Sequence, residues 1–106
     1  FSPRLFRIDG NLSKDMELIA TGAPTQRSSK YSGCLNRSDL KDGDVFLVDT
    51  GWEIFVWIGK EADRDEKIAA MTAADRYSKL DPRTLELPVH IIKSGNESQR
   101  FREIFA

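Results

Sequence analysis

Few side chains in this 106-residue chain have the types and spacing that chemistry requires. Cys34 and His90 are its only thiol and its only imidazole. A Cys–His nucleophile would have to be assembled from a loop and a strand, with no orienting third group signalled near either. They are read as a loop thiol and a strand imidazole. No glycine-rich phosphate cradle is present, because Gly43 and Gly51 do not open a helix in the required pattern. Carboxylates are better placed. Asp42-Gly43-Asp44 stands where a strand begins, and Glu66 falls in the first turn of a helix expected to pack on the same sheet. A hard cation such as Ca²⁺ takes about six to eight oxygens from carboxylates, carbonyls and water. The Gly43 carbonyl and the Asp44 side chain could supply two, with Glu66 approaching from above. Glu66 is equally well placed as a capping-box glutamate and Asp44 as a plain turn carboxylate, so spacing alone leaves both readings open. The twelve-residue EF-hand pattern is not present. Among the aromatics, Phe55 and Trp57 lie on one strand and are expected on opposite faces of the sheet, as ordinary core. Trp52, in a turn, is the better candidate for an exposed partner surface.

Elements must position these groups, and the middle of the chain shows them most clearly. Val45-Phe46-Leu47-Val48 and Ile54-Phe55-Val56-Trp57-Ile58 are continuous apolar runs joined by Asp49-Thr50-Gly51-Trp52-Glu53. A half-exposed strand alternates apolar with polar, whereas a run apolar on both faces is covered on both. This predicts a central antiparallel pair with a layer on each side. Asp63 fits a helix cap with Glu66 three residues on, and Ala70, Met71, Ala74 and Tyr77 then fall on one face. Pro82 stops that helix. Residues 87–93 read as a further strand starting beside Pro88, and Ser94-Gly95-Asn96 turns the chain. The stretch 98–105 forms a short helix with Phe101, Ile104 and Phe105 on one face. Upstream, Leu5, Phe6 and Ile8 before Asp9-Gly10 make a first strand, and 16–21 a second. Residues 22–43 have no sustained period and read as a long irregular connection, either holding a short turn around 35–40 or mobile. The economical assembly is an α+β domain, one sheet of about five strands with the long helix on one face and the short one on the other.

Composition bounds the function. Sixteen Lys and Arg against seventeen Asp and Glu leave a net charge of -1, with no basic surplus for nucleic acid. No apolar run approaches the roughly 18–20 residues of a transmembrane helix, and no signal peptide is evident. One cysteine excludes an internal disulfide and a thiolate zinc cluster, and fits the cytosol. The length suits a single domain spanning 1–106, and the Phe1 start is read as excision from a longer chain.

Several of these stretches together resemble a gelsolin-type repeat of the gelsolin, villin, severin and fragmin family. They are Leu40-Lys41-Asp42-Gly43-Asp44-Val45-Phe46-Leu47-Val48-Asp49, Glu53-Ile54-Phe55-Val56-Trp57-Ile58-Gly59-Lys60, and Asp65-Glu66-Lys67 followed by Ala70, Ala74 and Tyr77. Pro88-Val89-His90-Ile91-Ile92-Lys93-Ser94-Gly95-Asn96-Glu97 and the ending from Phe101 to Phe105 continue the series, and Pro3-Arg4-Leu5-Phe6-Arg7-Ile8 is similar to the opening strand of third and sixth repeats. The resemblance implies a five- or six-stranded, mostly antiparallel sheet between one long and one short helix. It implies a non-enzymatic repeat of a cytoplasmic, cytoskeletal protein that severs and caps actin filaments, with actin and neighbouring gelsolin-like repeats as partners. It also implies a Ca²⁺ site at Gly43, Asp44 and Glu66, with a further ligand from beyond the short helix. Repeats that share an ion with actin carry an Asp near the end of the long helix; here that place falls at Ser78, which has no charge. The resemblance is therefore to a third- or sixth-type repeat, regulatory or structural rather than severing. The alternative is a gelsolin-fold interaction module without metal or actin, as in vesicle-coat subunits.

Overall fold

In a computed structural model of the chain, residues 3–8, 17–22, 35–80 and 82–105 are described. Five strands form one sheet: β1 (Arg4–Ile8), β2 (Glu17–Thr21), β3 (Val45–Asp49), β4 (Ile54–Ile58) and β5 (Val89–Lys93), in the order β2-β1-β3-β4-β5. Three pairings are antiparallel and β4 with β5 is parallel. A parallel neighbour needs a crossover of a dozen or more residues. Residues 59–88 supply it, including α1 (Arg64–Lys79) and α2 (Pro82–Leu85). The chain closes with α3 (Gln99–Ile104).

The two continuous apolar runs are the two central strands, and every residue of both is buried. Their alternate side chains feed two cores. Val45, Leu47, Ile54, Val56 and Ile58 meet Ala69, Ala70, Ala74 and Tyr77 of α1. Phe46, Val48, Phe55 and Trp57 meet Phe101 and Ile104 of α3 on the other face. The layering expected from the sequence is thus present, with one correction. Phe55 and Trp57 share the α3 face, because residues two apart on a strand point the same way. The Trp57 indole N–H is buried there without an acceptor among the described residues, and nothing in the structure explains it.

Helix α1 starts as expected. Asp63 caps it, accepting from the Glu66 N–H at 2.8 Å, while Asp63 N–H donates to Glu66 Oε1 at 3.4 Å. Its buried face differs from the expected one at Met71, which is half exposed, while Ala69 is buried in its place. The helix ends at Lys79, and Pro82 opens α2, where its missing N–H costs nothing. The last strand begins at Val89 rather than at Leu87. The turn expected around residues 35–40 is a 3-10 turn at Arg37–Asp39, capped by Asn36. Asp9-Gly10, Met16, Cys34 and most of the long connection lie outside the described residues.

Candidate functional site

The hairpin between β3 and β4 puts two carboxylates at one end of the sheet, one for each face. Asp49, wholly buried, lies on the α1 side. It accepts from Tyr77 Oη at 2.5 Å, from Arg83 Nη2 at 2.7 Å and from the Gly51 N–H at 2.9 Å. Glu53, 2% exposed, lies on the α3 side and accepts from Arg100 Nη2 at 2.6 Å, with His90 Nε2 3.1 Å away. Thr50 closes the turn: its N–H and hydroxyl both donate to the Glu53 carbonyl. Gly51 takes a positive φ of 93°, which favours glycine. A carboxylate can be buried only when charge partners and hydrogen bonds replace its water. Both have them, so these are ties between layers. The Tyr77 phenol is pushed up to about 12, first by burial and then by its bond to Asp49. Sequence reasoning passed over this network. The available signal was a pair of acids flanking a turn between two fully apolar strands.

The expected metal residues gather at the opposite end of the sheet. There the chain enters β3 through Asp42-Gly43-Asp44 and leaves β4 through Gly59. Gly59 N–H donates to the Asp44 carbonyl at 3.0 Å, and Glu61 N–H to the Asp42 carbonyl at 2.8 Å. A Cβ at Gly59 would collide with both carbonyl oxygens, so only glycine lets these segments approach. Gly43 is different. A Cβ there would meet nothing within 4 Å, and its φ is not positive, so neither space nor backbone demands glycine at that position.

Glu66 overhangs this turn from the first turn of α1, partly buried. Its carboxyl is raised above its ordinary range, first by burial and further by the charges of Asp63 and Asp44, against an opposing hydrogen bond from the Asp63 backbone. Asp44 and Glu66 are therefore close enough to repel across two elements. Glu66 also serves the capping box, so the plainer of its two readings is realised. No group of three or more His, Cys, Asp and Glu side chains able to hold a metal exists among the described residues. The donor set is two carboxylates beside an exposed glycine. It suits an oxygen-loving cation only when carbonyls and water complete the shell.

His90 and Ser78 complete the sequence-stated residues. The ring of His90 rests on Phe55 at 5.3 Å, beside Glu53. The Ser78 hydroxyl donates to the Asp75 carbonyl at 2.8 Å, one turn back along the helix. Trp52, expected in an exposed turn, is 42% exposed.

Residues 33–102 match the family model described as Gelsolin repeat. Over 71 residues the chain is 42% identical to the protein named Gelsolin of Gallus gallus, an overlap covering 65% of this chain and 9% of that relative. Over 85 residues it is 39% identical to "Gelsolin, cytoplasmic" of Homarus americanus, covering 70% of this chain and 11% of the relative. The chain thus spans about a tenth of the length of these relatives. Among solved structures it resembles Thorarchaeota 2DGel3 in its complex with rabbit actin, with TM-score 0.66 and 27% identity over 98% of this chain and 45% of that one. Thorarchaeota ProGel, also solved with rabbit actin, matches with TM-score 0.74 at 15% identity over 98% of this chain and 99% of that one. The human COPII-coat protein Sec24c matches with TM-score 0.56 at 13% identity over 90% of this chain and 14% of that one. At such identities the last two show a shared fold and nothing more.

Proposed function

The chain belongs to the gelsolin-repeat family, and on that premise we propose that it is a Ca²⁺-binding repeat of an actin-filament severing and capping protein, regulatory or structural in role and not an enzyme. One observation carries the reading: the family match over residues 33–102 contains Gly43, Asp44 and Glu66 together. Gly43 offers its carbonyl from a position where the fold does not need glycine. Asp44 and Glu66 bring carboxylates from the sheet and the helix to one end of the domain. A divalent cation bound there would replace their repulsion with attraction to both. The domain acts in the cytoplasm with the actin cytoskeleton, a placement supported by the relative named "Gelsolin, cytoplasmic". Its partners are actin, reached through the parent protein, and neighbouring repeats. Supporting actin as partner is the 27% identical neighbour solved in complex with rabbit actin. The missing charge at Ser78 argues for a third- or sixth-type role, so this chain alone binds monomeric actin weakly or not at all.

A second reading is a gelsolin-fold interaction module that binds neither metal nor actin. It is favoured because no group of three or more His, Cys, Asp and Glu side chains among the described residues is arranged to hold a metal. Calorimetric titration with Ca²⁺ separates the two. The first reading expects saturable heat that is lost in Glu66→Gln; the second expects none in either. Tight Ca²⁺-dependent binding of this chain to monomeric actin would overturn the third- or sixth-type assignment.

A further inference from the structure

We infer that α1 is hinged at its C-terminal turn, where Tyr77 is tied to Asp49, and that the turn carrying Glu66 is the end free to move. The two ends of this helix are held by different means. At the C-terminal end, Tyr77 is buried, packs against Phe6 of β1 with ring centroids 5.3 Å apart and tilted, and bonds to Asp49 of β3, which Arg83 also holds. The Thr84 hydroxyl of α2 lies within hydrogen-bond distance of the Tyr77 and Ser78 carbonyls, at 3.2 and 3.0 Å. Four elements meet at that one turn.

Further toward the N-terminus, α1 meets the sheet through Ala69, Ala70 and Ala74, with Ala73 partly buried beside them. Its larger apolar side chains there, Ile68 and Met71, are each 50% exposed. Among the described residues, the side-chain hydrogen bonds of that part of the helix are local ones: Glu66 with Asp63 and Thr72 with the Ile68 carbonyl. An alanine face is smooth and buries little area per residue, so it does not interlock with the sheet as an aromatic ring does. Local capping argues the other way, since the capping box is at the N-terminus and the C-cap residue Leu80 is 75% exposed. The hinge therefore contradicts what the helix sequence alone would give. A helix pivoting about Tyr77 would move its first turn most, where Glu66 lies about 16 Å away at 1.5 Å per residue. If the proposed Ca²⁺ site is correct, and this consequence rests on it, the ion clamps the free end of a lever.

Residue-resolved amide exchange on the full chain, without metal, tests the hinge first. Amides of residues 76–79 are expected to exchange about tenfold more slowly than those of 69–72. Tyr77→Phe keeps the ring and loses only the hydroxyl; it should speed exchange at 76–79 about tenfold and leave 69–72 within about twofold. Thr84→Val, at a different point of the same anchor, should act in the same direction with a smaller effect. Equal protection along the helix, faster exchange at its C-terminal end, or a uniform rise in both variants would overturn the hinge. Where calorimetry shows Ca²⁺ bound, slower exchange confined to 69–72 supports the lever, and equal slowing at both ends overturns it. A chain that binds no Ca²⁺ would overturn the metal reading, with the hinge already decided by the metal-free comparison.

Discussion

The two ends of the sheet both carry carboxylates and treat them in opposite ways. At the β3–β4 hairpin, Asp49 and Glu53 are buried and each is met by an arginine. At the other end, Asp42, Asp44, Glu61, Asp63 and Glu66 have no salt-bridge partner among the described residues, although Lys41, Lys60 and Lys67 are close in sequence. A buried acid with a fixed cation serves folding, because losing either member strands a charge. At the open end, Asp63 and Glu66 stabilise the start of α1 through the capping box, while the repulsion between Asp44 and Glu66 stabilises nothing. The contrast separates the part of the molecule that ties the layers together from the part where we propose that a cation binds.

The largest expected break in that contrast comes from Asp49→Ala, which removes a buried carboxylate shared by Arg83 and Tyr77. We expect a loss of about 3–5 kcal/mol, against less than about 0.5 kcal/mol for Asp44→Ala without metal. Urea unfolding of both variants measures the difference, and comparable losses would erase the distinction between the ends.

Alkaline pH sharpens it next. The folded phenol of Tyr77 is pushed from 10.0 up to about 12, so the neutral form is favoured in the folded state. Its contribution is fully present below pH 10 and is lost as pH rises through about 12. Two units correspond to about 2–3 kcal/mol. Stability measured against pH should fall by that much more in the natural chain than in Tyr77→Phe.

Arg100→Ala should cost less, about 1–2 kcal/mol, since its guanidinium is largely exposed and His90 stays beside Glu53. The smallest effect belongs to the open end. Glu66 has a raised folded value, so its contribution is present below its ordinary 4.5 and is lost as pH rises through the raised one. Glu66→Gln does not titrate and still serves the capping box. Without metal it should match or slightly exceed the natural chain at neutral pH, within about 0.5 kcal/mol. That small margin should disappear in acid.

The fold was legible in the sequence where one physical signal dominated. Continuous apolar runs at residues 45–48 and 54–58 required covering on both faces, and Asp63 with Glu66 marked the helix start. Met71 was placed in the core because periodicity weighs hydrophobicity and not size. The close packing of α1 admits alanine and turns methionine outward. The assignment of Phe55 and Trp57 to opposite faces departed from the two-residue period of a strand. The buried network was not legible, because nothing local distinguishes a turn acid that will meet Arg83 or Arg100 from one that will meet water. Those partners stand 34 and 47 residues away, and only the closed fold brings them together. At the open end, Gly43, Asp44 and Glu66 were named from the sequence, and the structure brings Asp44 and Glu66 within electrostatic reach.

We propose a cation site at the open end and none at the closed end. Thermal unfolding with excess Ca²⁺ or with chelator, on the natural chain, Glu66→Gln and Arg100→Ala, tests it most directly. A ligand bound only by the folded state raises Tm by mass action. Ca²⁺ is expected to raise Tm in the natural chain, Glu66→Gln to lose most of this rise, and Arg100→Ala to keep it from a lower starting point. An equal Ca²⁺ shift in the natural chain and Glu66→Gln, or no shift in any of the three, would contradict it.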